Sequence, residues 1–242
     1  MFALAAALLL GSPAQSADLK VLSGNGSKAA VQELCAQFER ATGIRIDLRF
    51  GVNAEVKDKI EAGERFDVVI GNPPIIDALI KDGMVVGPRT DFGRAGLGVA
   101  VRSGAPKPDI SSVEAFRHAL LASKAVAFPG KGASGLYFVG LLDRMGIKAD
   151  MQDKLKPMEA EDTVEVVARG EADMVVVVST RISDVAGVDR VGPIPEELQT
   201  KIGFAAGVST AAKEPDAAKA LIAFISAPAA AATLRAKGVE PL

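Results

Sequence analysis

The stretch 18–30, D-L-K-V-L-S-G-N-G-S-K-A-A, limits the fold more than any other. Leu19, Val21 and Leu22 form a short apolar run. Gly24 and Gly26 break it, and Ser27 opens a helical pattern through Val31, Leu34, Cys35 and Phe38. That order is a strand, a glycine turn and a helix start. A helix start carries unpaired N–H groups at the positive end of the helix dipole, so it can hold an anion without a cationic side chain. Taken by itself, the plainer reading is that Ser27 caps the helix.

The pattern repeats. Residues 44–50 alternate as I-R-I-D-L-R-F, G-V-N-A turns at 51–54, and residues 55–62 read as a helix closed by Gly63. Residues 66–70, F-D-V-V-I, are a continuous apolar run suited to a strand covered on both faces, followed by G-N-P-P and a helix over 75–81. Such a progression predicts βαβ units on a parallel sheet. Residues 96–102 read as a strand, and the chain first crosses between lobes near there, before the proline-bearing loop 103–109. A capped helix to Ala122 and a strand at 125–128 follow, then a second glycine-rich turn, P-G-K-G-A-S-G at 129–135, and its helix at 136–145. Residues 155–158 and 174–178 read as strands, with a short helix at 163–168 between them. Residues 202–208 return to the first lobe, and helices at 215–227 and 228–237 close the chain. The expected fold class is α/β: two lobes of mostly parallel sheets flanked by helices, the first 18–98 plus 205–242 and the second 99–204. Two crossover strands form the hinge, near Ala100 and Ala205. Ligands sit beyond the carboxyl ends of parallel strands, so the junctions at Ser27, Asn53, Ser134 and near Thr163 converge on one crevice.

Composition excludes several classes. With 28 basic and 30 acidic residues mixed throughout, there is no basic patch for nucleic acid. No Trp and a single Tyr argue against a sugar-stacking site or an aromatic cage. Residues 1–17 read as a secretory signal, an apolar core followed by small residues, and are too short to span a bilayer. Cys35 is the one cysteine, which excludes an internal disulfide and a multi-cysteine metal site. Neither G-N-G-S-K nor G-K-G-A-S fits a phosphate-binding P-loop, and G-A-S-G-L at 132–136 is not a nucleophile elbow. A Ser–His–Asp site would have to use His118, the only histidine. No metal, no cofactor and no catalysis is expected.

Certain segments carry a resemblance. They are G-S-K-A-A-V-Q-E-L, F-E-R-A-T-G-I, R-F-G-V-N-A-E-V-K-D-K-I-E-A-G, F-D-V-V-I-G-N, S-G-L-Y-F-V-G-L-L-D-R-M-G-I, V-V-A-R-G-E-A-D and A-K-A-L-I-A-F-I-S-A-P. Through them the whole mature chain resembles the periplasmic molybdate- and tungstate-binding proteins, solute receptors of ABC importers with the type II binding-protein fold. The resemblance implies a tetrahedral oxyanion held by hydroxyls and backbone amides. Ser27, beside Gly26, matches the family's first-turn serine. Val52 and Asn53 stand where the family has a Ser-Ser pair, so one hydroxyl is lost and the other becomes an amide. Ser134, followed by Gly135, matches a backbone-amide position, and a further amide donor is implied at 160–162, ending at Asp162. The family's tyrosine falls on Val178, with Ser179 following. The implied protein is a monomeric periplasmic receptor that closes over a small oxyanion and meets a membrane permease. The lost hydroxyls leave a small organic acid or a phosphonate as the alternative ligand, and a secreted serine hydrolase using Ser27 or Ser134 as a remote one. The grip expected is from backbone dipoles, with Lys28 and Lys131 pointing outward into solvent.

Overall fold

The computed structural model describes residues 18–159 and 162–242, so the expected signal at 1–17 lies outside the described residues. The chain opens with β1 (Asp18–Gly24), a tight turn at Asn25–Ser27 and α1 (Lys28–Thr42). One stripe of α1, formed by Ala30, Val31, Leu34, Cys35 and Phe38, is buried, and Gly43 ends the helix at φ 75°, a left-handed conformation that glycine adopts without penalty. Cys35 is 3% exposed, and burial pushes its thiol up to about 12, so it is an inert core residue. Then come β2 (Arg45–Gly51), α2 (Asn53–Glu61), β3 (Val68–Gly71), α3 (Pro73–Lys81) and β4 (Val85–Ala95). The second half of the chain holds β5 (Leu97–Arg102), α4 (Val113–Ala122), β6 (Val126–Pro129), α5 (Ala133–Arg144) and α6 (Lys148–Met151). It continues with β7 (Leu155–Met158), α7 (Glu165–Ala168), β8 (Met174–Val178) and β9 (Val188–Pro193). Last are β10 (Ile202–Ser209), α8 (Pro215–Ser226), α9 (Ala231–Ala236) and β11 (Glu240–Pro241).

Among the described residues these strands form two sheets, in the orders β11-β4-β10-β3-β1-β2 and β7-β6-β8-β5-β9. Both are mixed. The pairs β1–β2, β1–β3, β6–β7 and β6–β8 are parallel, whereas every pair made by β4, β5 and β10 is antiparallel. The antiparallel half of each sheet thus comes from the strands next to the lobe crossings. β4 has no counterpart in the sequence reading, because Gly87, Pro88 and Gly93 interrupt its alternation. They are tolerated because the β4–β10 register shifts between Ala206 and Val208, opposite Gly87-Pro88.

The crossings fall at different residues from those expected. Ala100 is paired with Val175 and Arg190 inside the second sheet, and Ala205 with Gly71 and Asp91 inside the first, so ladders hold both. Leu97 and Gly98 already pair within the second sheet, and Ile202 and Gly203 within the first. The chain passes between sheets at Gly96 and again at residues 199–201. One side chain ties the two passages: Gln199 Oε1 accepts from Leu97 N at 2.7 Å, and Gln199 Nε2 donates to Leu97 O at 3.0 Å. A Cβ on Gly96 would sit 2.9 Å from Gln199 Cδ, so the glycine makes room for this amide. Removing it leaves a part-buried backbone N–H without its acceptor, a loss of about 1–3 kcal/mol. Gln199→Ala should therefore lower the urea midpoint by a corresponding amount, and an unchanged midpoint would show that the clip carries no stability.

Apolar packing crosses from lobe to lobe. Leu34 and Phe38 of α1 belong to the same buried cluster as Ala127, Val175 and Val177 of the second sheet. A separate core around Phe116, Phe138 and Leu141 fills the second lobe, and Val56, Ile76 and Leu79 form a third beneath α2 and α3.

Candidate functional site

The carboxyl ends of the parallel strands from both sheets meet around one hollow of about 50 Å³. The first lobe supplies Asn25 and Gly26 after β1, Val52 and Asn53 at the start of α2, and Asn72 at the start of α3. The second supplies Pro129, Gly132, Ala133 and Ser134 around the start of α5, Thr163 before α7, and Val177, Val178 and Arg181 at the end of β8. Ile202, where the chain returns, completes the wall.

The α5 start differs from the expected one. The helix begins at Ala133 rather than 136, because Gly132, extended at φ −81°, is its N-cap. Ser134 therefore sits in the first helical turn, where N–H groups have no intrahelical partner, and no side chain caps them. Gly135 does not line the hollow. A Cβ there would lie 1.8 Å from Pro129 O, so this glycine lets α5 close onto the end of β6.

Asn53 lines the hollow, but its amide is committed to the protein. Asn53 Nδ2 donates to Asn72 Oδ1 in a short contact, and Asn72 N donates to Asn53 Oδ1 at 3.3 Å. Asn72 Nδ2 in turn donates to Gly203 O of β10 at 2.8 Å. The chain of amides ties the starts of α2 and α3 to the returning strand. Gly24 and Gly71 make room for this amide: a Cβ there would lie 2.4 Å and 2.8 Å from Asn53 Oδ1.

The other expected residues divide in the same way. Gly26 lines the hollow, and its carbonyl accepts from Thr180 Oγ1 at 2.6 Å, a hydrogen bond between lobes. Ser27 is 2% exposed but outside the lining, and its hydroxyl makes no capping bond to α1. Val52 and Val178 present methyl groups. Ser179 lies outside the lining, its N–H donating to Gly96 O at 2.8 Å. Of the amide donor implied at 160–162, residues 160 and 161 lie outside the described residues; Asp162 is not in the lining, its N–H donates to Glu159 O at 3.1 Å, and Arg169 Nη1 and Nη2 donate to its carboxylate at 2.6 and 3.0 Å. Those hydrogen bonds hold its carboxyl below the usual range. Lys131 is exposed, as expected, whereas Lys28 lies 5.5 Å from the Phe50 ring centroid and lines an outer crevice.

Asn25, Asn72 and Arg181 were not among the expected binding residues. Asn25 and Asn72 sit inside the glycine turns that flag the site, so a signal for them existed. Arg181 had none, because it lies in an aperiodic turn after β8. It is 8% exposed and lines both the hollow and the outer crevice, with Nη2 3.7 Å from Glu165 Oε1. The lining therefore includes a charged side chain beside the helix starts.

Chemically, the described lining offers amides, hydroxyls, helix-start N–H groups and one guanidinium. Arginine stays protonated at any physiological pH, and no described carboxylate, imidazole or thiol lines the hollow. His118 faces a separate, open depression with Arg102, Asp173 and Met174. Met174 and Val178 are opposite ends of β8, roughly 13 Å apart at strand rise, so His118 and Ser134 do not form a catalytic pair.

Against known proteins, residues 19–240 match the family described as bacterial extracellular solute-binding protein. The chain is 32% identical over 251 residues to a protein named aconitate isomerase from a Pseudomonas species, covering 99% of this chain and 95% of that one. It is 26% identical over 238 residues to the molybdate-binding protein ModA of Azotobacter vinelandii, covering 95% and 92%. The solved periplasmic molybdate-binding protein of Azotobacter vinelandii shares the fold with a TM-score of 0.75 at 19% identity, over 91% of this chain and 98% of that one.

Proposed function

The chain belongs to the bacterial extracellular solute-binding protein family, and from that premise we propose that it captures a small carboxylate-bearing anion between its lobes. In this reading it works in the periplasm, as a monomer, and delivers the closed form to the permease of an ABC-type importer. The observation that carries the ligand class is Arg181, a guanidinium 8% exposed beside the uncapped start of α5. Its planar fork matches a carboxylate in two parallel hydrogen bonds, and the helix start supplies N–H donors and a favourable dipole. Binding would bias the lobes toward closure about Gly96 and residues 199–201.

A second reading, a tetrahedral oxyanion, draws on the small hollow and on the relative named for molybdate. Against it stand the methyl groups of Val52 and Val178, which would leave acceptor oxygens unmatched at about 1–3 kcal/mol each. The relative named aconitate isomerase raises catalysis as a further outcome. Moving a proton along an unsaturated acid requires a positioned base, and the described lining contains none.

Calorimetry with malate, succinate, citrate, cis-aconitate, molybdate, tungstate, sulfate and phosphate tests these readings together. The expected result is saturable heat from at least one carboxylate and none from the oxyanions, with NMR showing cis-aconitate unchanged over hours. Heat from an oxyanion alone would overturn the ligand class, and conversion of cis-aconitate would overturn the non-catalytic role.

A further inference from the structure

Asn25 carries, among the described residues, the one buried side-chain polar atom without a hydrogen-bond partner, its Oδ1. The residue is 8% exposed, lies in the turn between β1 and α1, and lines the hollow. Buried polar atoms in folded proteins are almost always matched, so an exception at a binding site points to a partner brought by the ligand. An amide oxygen accepts a hydrogen bond and never donates one.

The rest of the site is built to donate. Arg181 and the first-turn N–H groups of α5 suit the oxygen atoms of an anion. Gly26 O, the neighbouring acceptor, is already taken by Thr180 Oγ1. A ligand made only of acceptor oxygens suits those donors but leaves Asn25 Oδ1 unmatched. One that also carries a hydroxyl satisfies both.

We propose that the hollow selects a hydroxy-carboxylate over its deoxy counterpart, with Asn25 Oδ1 accepting from the ligand hydroxyl. Asn25 then acts as a specificity-determining residue. The inference rests on the carboxylate reading above and narrows it to a class.

The test is calorimetry on matched pairs: L-malate against succinate, citrate against tricarballylate, lactate against propionate. For at least one pair the protein should bind the hydroxy member about tenfold more tightly or better, the discrimination expected when a site's hydrogen-bonding group is left unpaired by the wrong ligand. In Asn25→Ala the ratio should collapse to about twofold, through weaker binding of the hydroxy member with the deoxy member unchanged. Equal affinities within every pair, or a ratio that survives Asn25→Ala, would overturn the proposal while leaving the carboxylate reading intact. No carboxylate binding at all would overturn both. The ratio in the unsubstituted protein needs no variant, so it decides the matter even if Asn25→Ala fails to fold.

Discussion

Arg181→Ala weakens anion binding more than any other single substitution in the hollow. The guanidinium is nearly buried at the junction of the hollow and the outer crevice, so its pairing with an anion is shielded from water and salt. Removing one partner of a buried, hydrogen-bonded charge pair costs roughly 2–5 kcal/mol, or a dissociation constant weaker by about 30- to 4,000-fold. Glu165 Oε1 lies 3.7 Å from Arg181 Nη2, and the Glu165 side chain is 34% exposed. Arg181→Lys should fall between, because the charge remains but the planar fork does not. Calorimetry with the tightest-binding acid of the panel checks this, and urea unfolding shows that the variant compared is folded. Unchanged affinity in Arg181→Ala would remove the guanidinium from the site.

Gly135→Ala has the largest expected effect on stability. The added Cβ would lie 1.8 Å from Pro129 O, 2.8 Å from Pro129 C and 3.2 Å from Phe128 Cδ2. Two of those are backbone atoms at the end of β6, which is hydrogen-bonded into the second sheet beside β7 and β8, so no side-chain rotation relieves the clash. Either α5 lifts away from β6, or the strand end is displaced. Both disturb the packing of Phe128 against Phe138, whose ring centroids lie 5.7 Å apart. Overpacking of this kind costs about 1–3 kcal/mol and more where backbone must shift, so a loss of at least 3 kcal/mol is expected. Ser134 stands next in the chain, so ligand binding should weaken as well. Urea and thermal unfolding test the first part and calorimetry the second. A variant as stable as the parent would mean that α5 and β6 do not approach this closely.

What the sequence disclosed follows from what each element's own residues had to do. The turns at Asn25–Ser27, 51–54, 71–74 and 129–135 were readable because glycine and small polar residues must stand where a strand ends and a helix begins. α1 was readable because its buried stripe repeats at helical spacing. β4 was hidden because its glycines and proline are permitted by a register shift set by β10, which lies far along the chain. The roles of Asn53 and Asn72 depend on their meeting each other across 19 residues, and a local pattern cannot carry that. Arg181 follows a run of buried valines in a turn without period, so nothing nearby marks it as the cation of the cleft. The backbone-dipole principle pointed to the strand ends that line the hollow; Arg181 in that lining came only with the tertiary structure.

A crystal structure grown with the tightest-binding acid of the panel addresses the central claim most directly. The account predicts density for the acid between the lobes, one carboxylate against Arg181 and the first-turn N–H groups of α5 at Ser134. Density in the depression beside His118, or bound acid with no contact to Arg181, would contradict it.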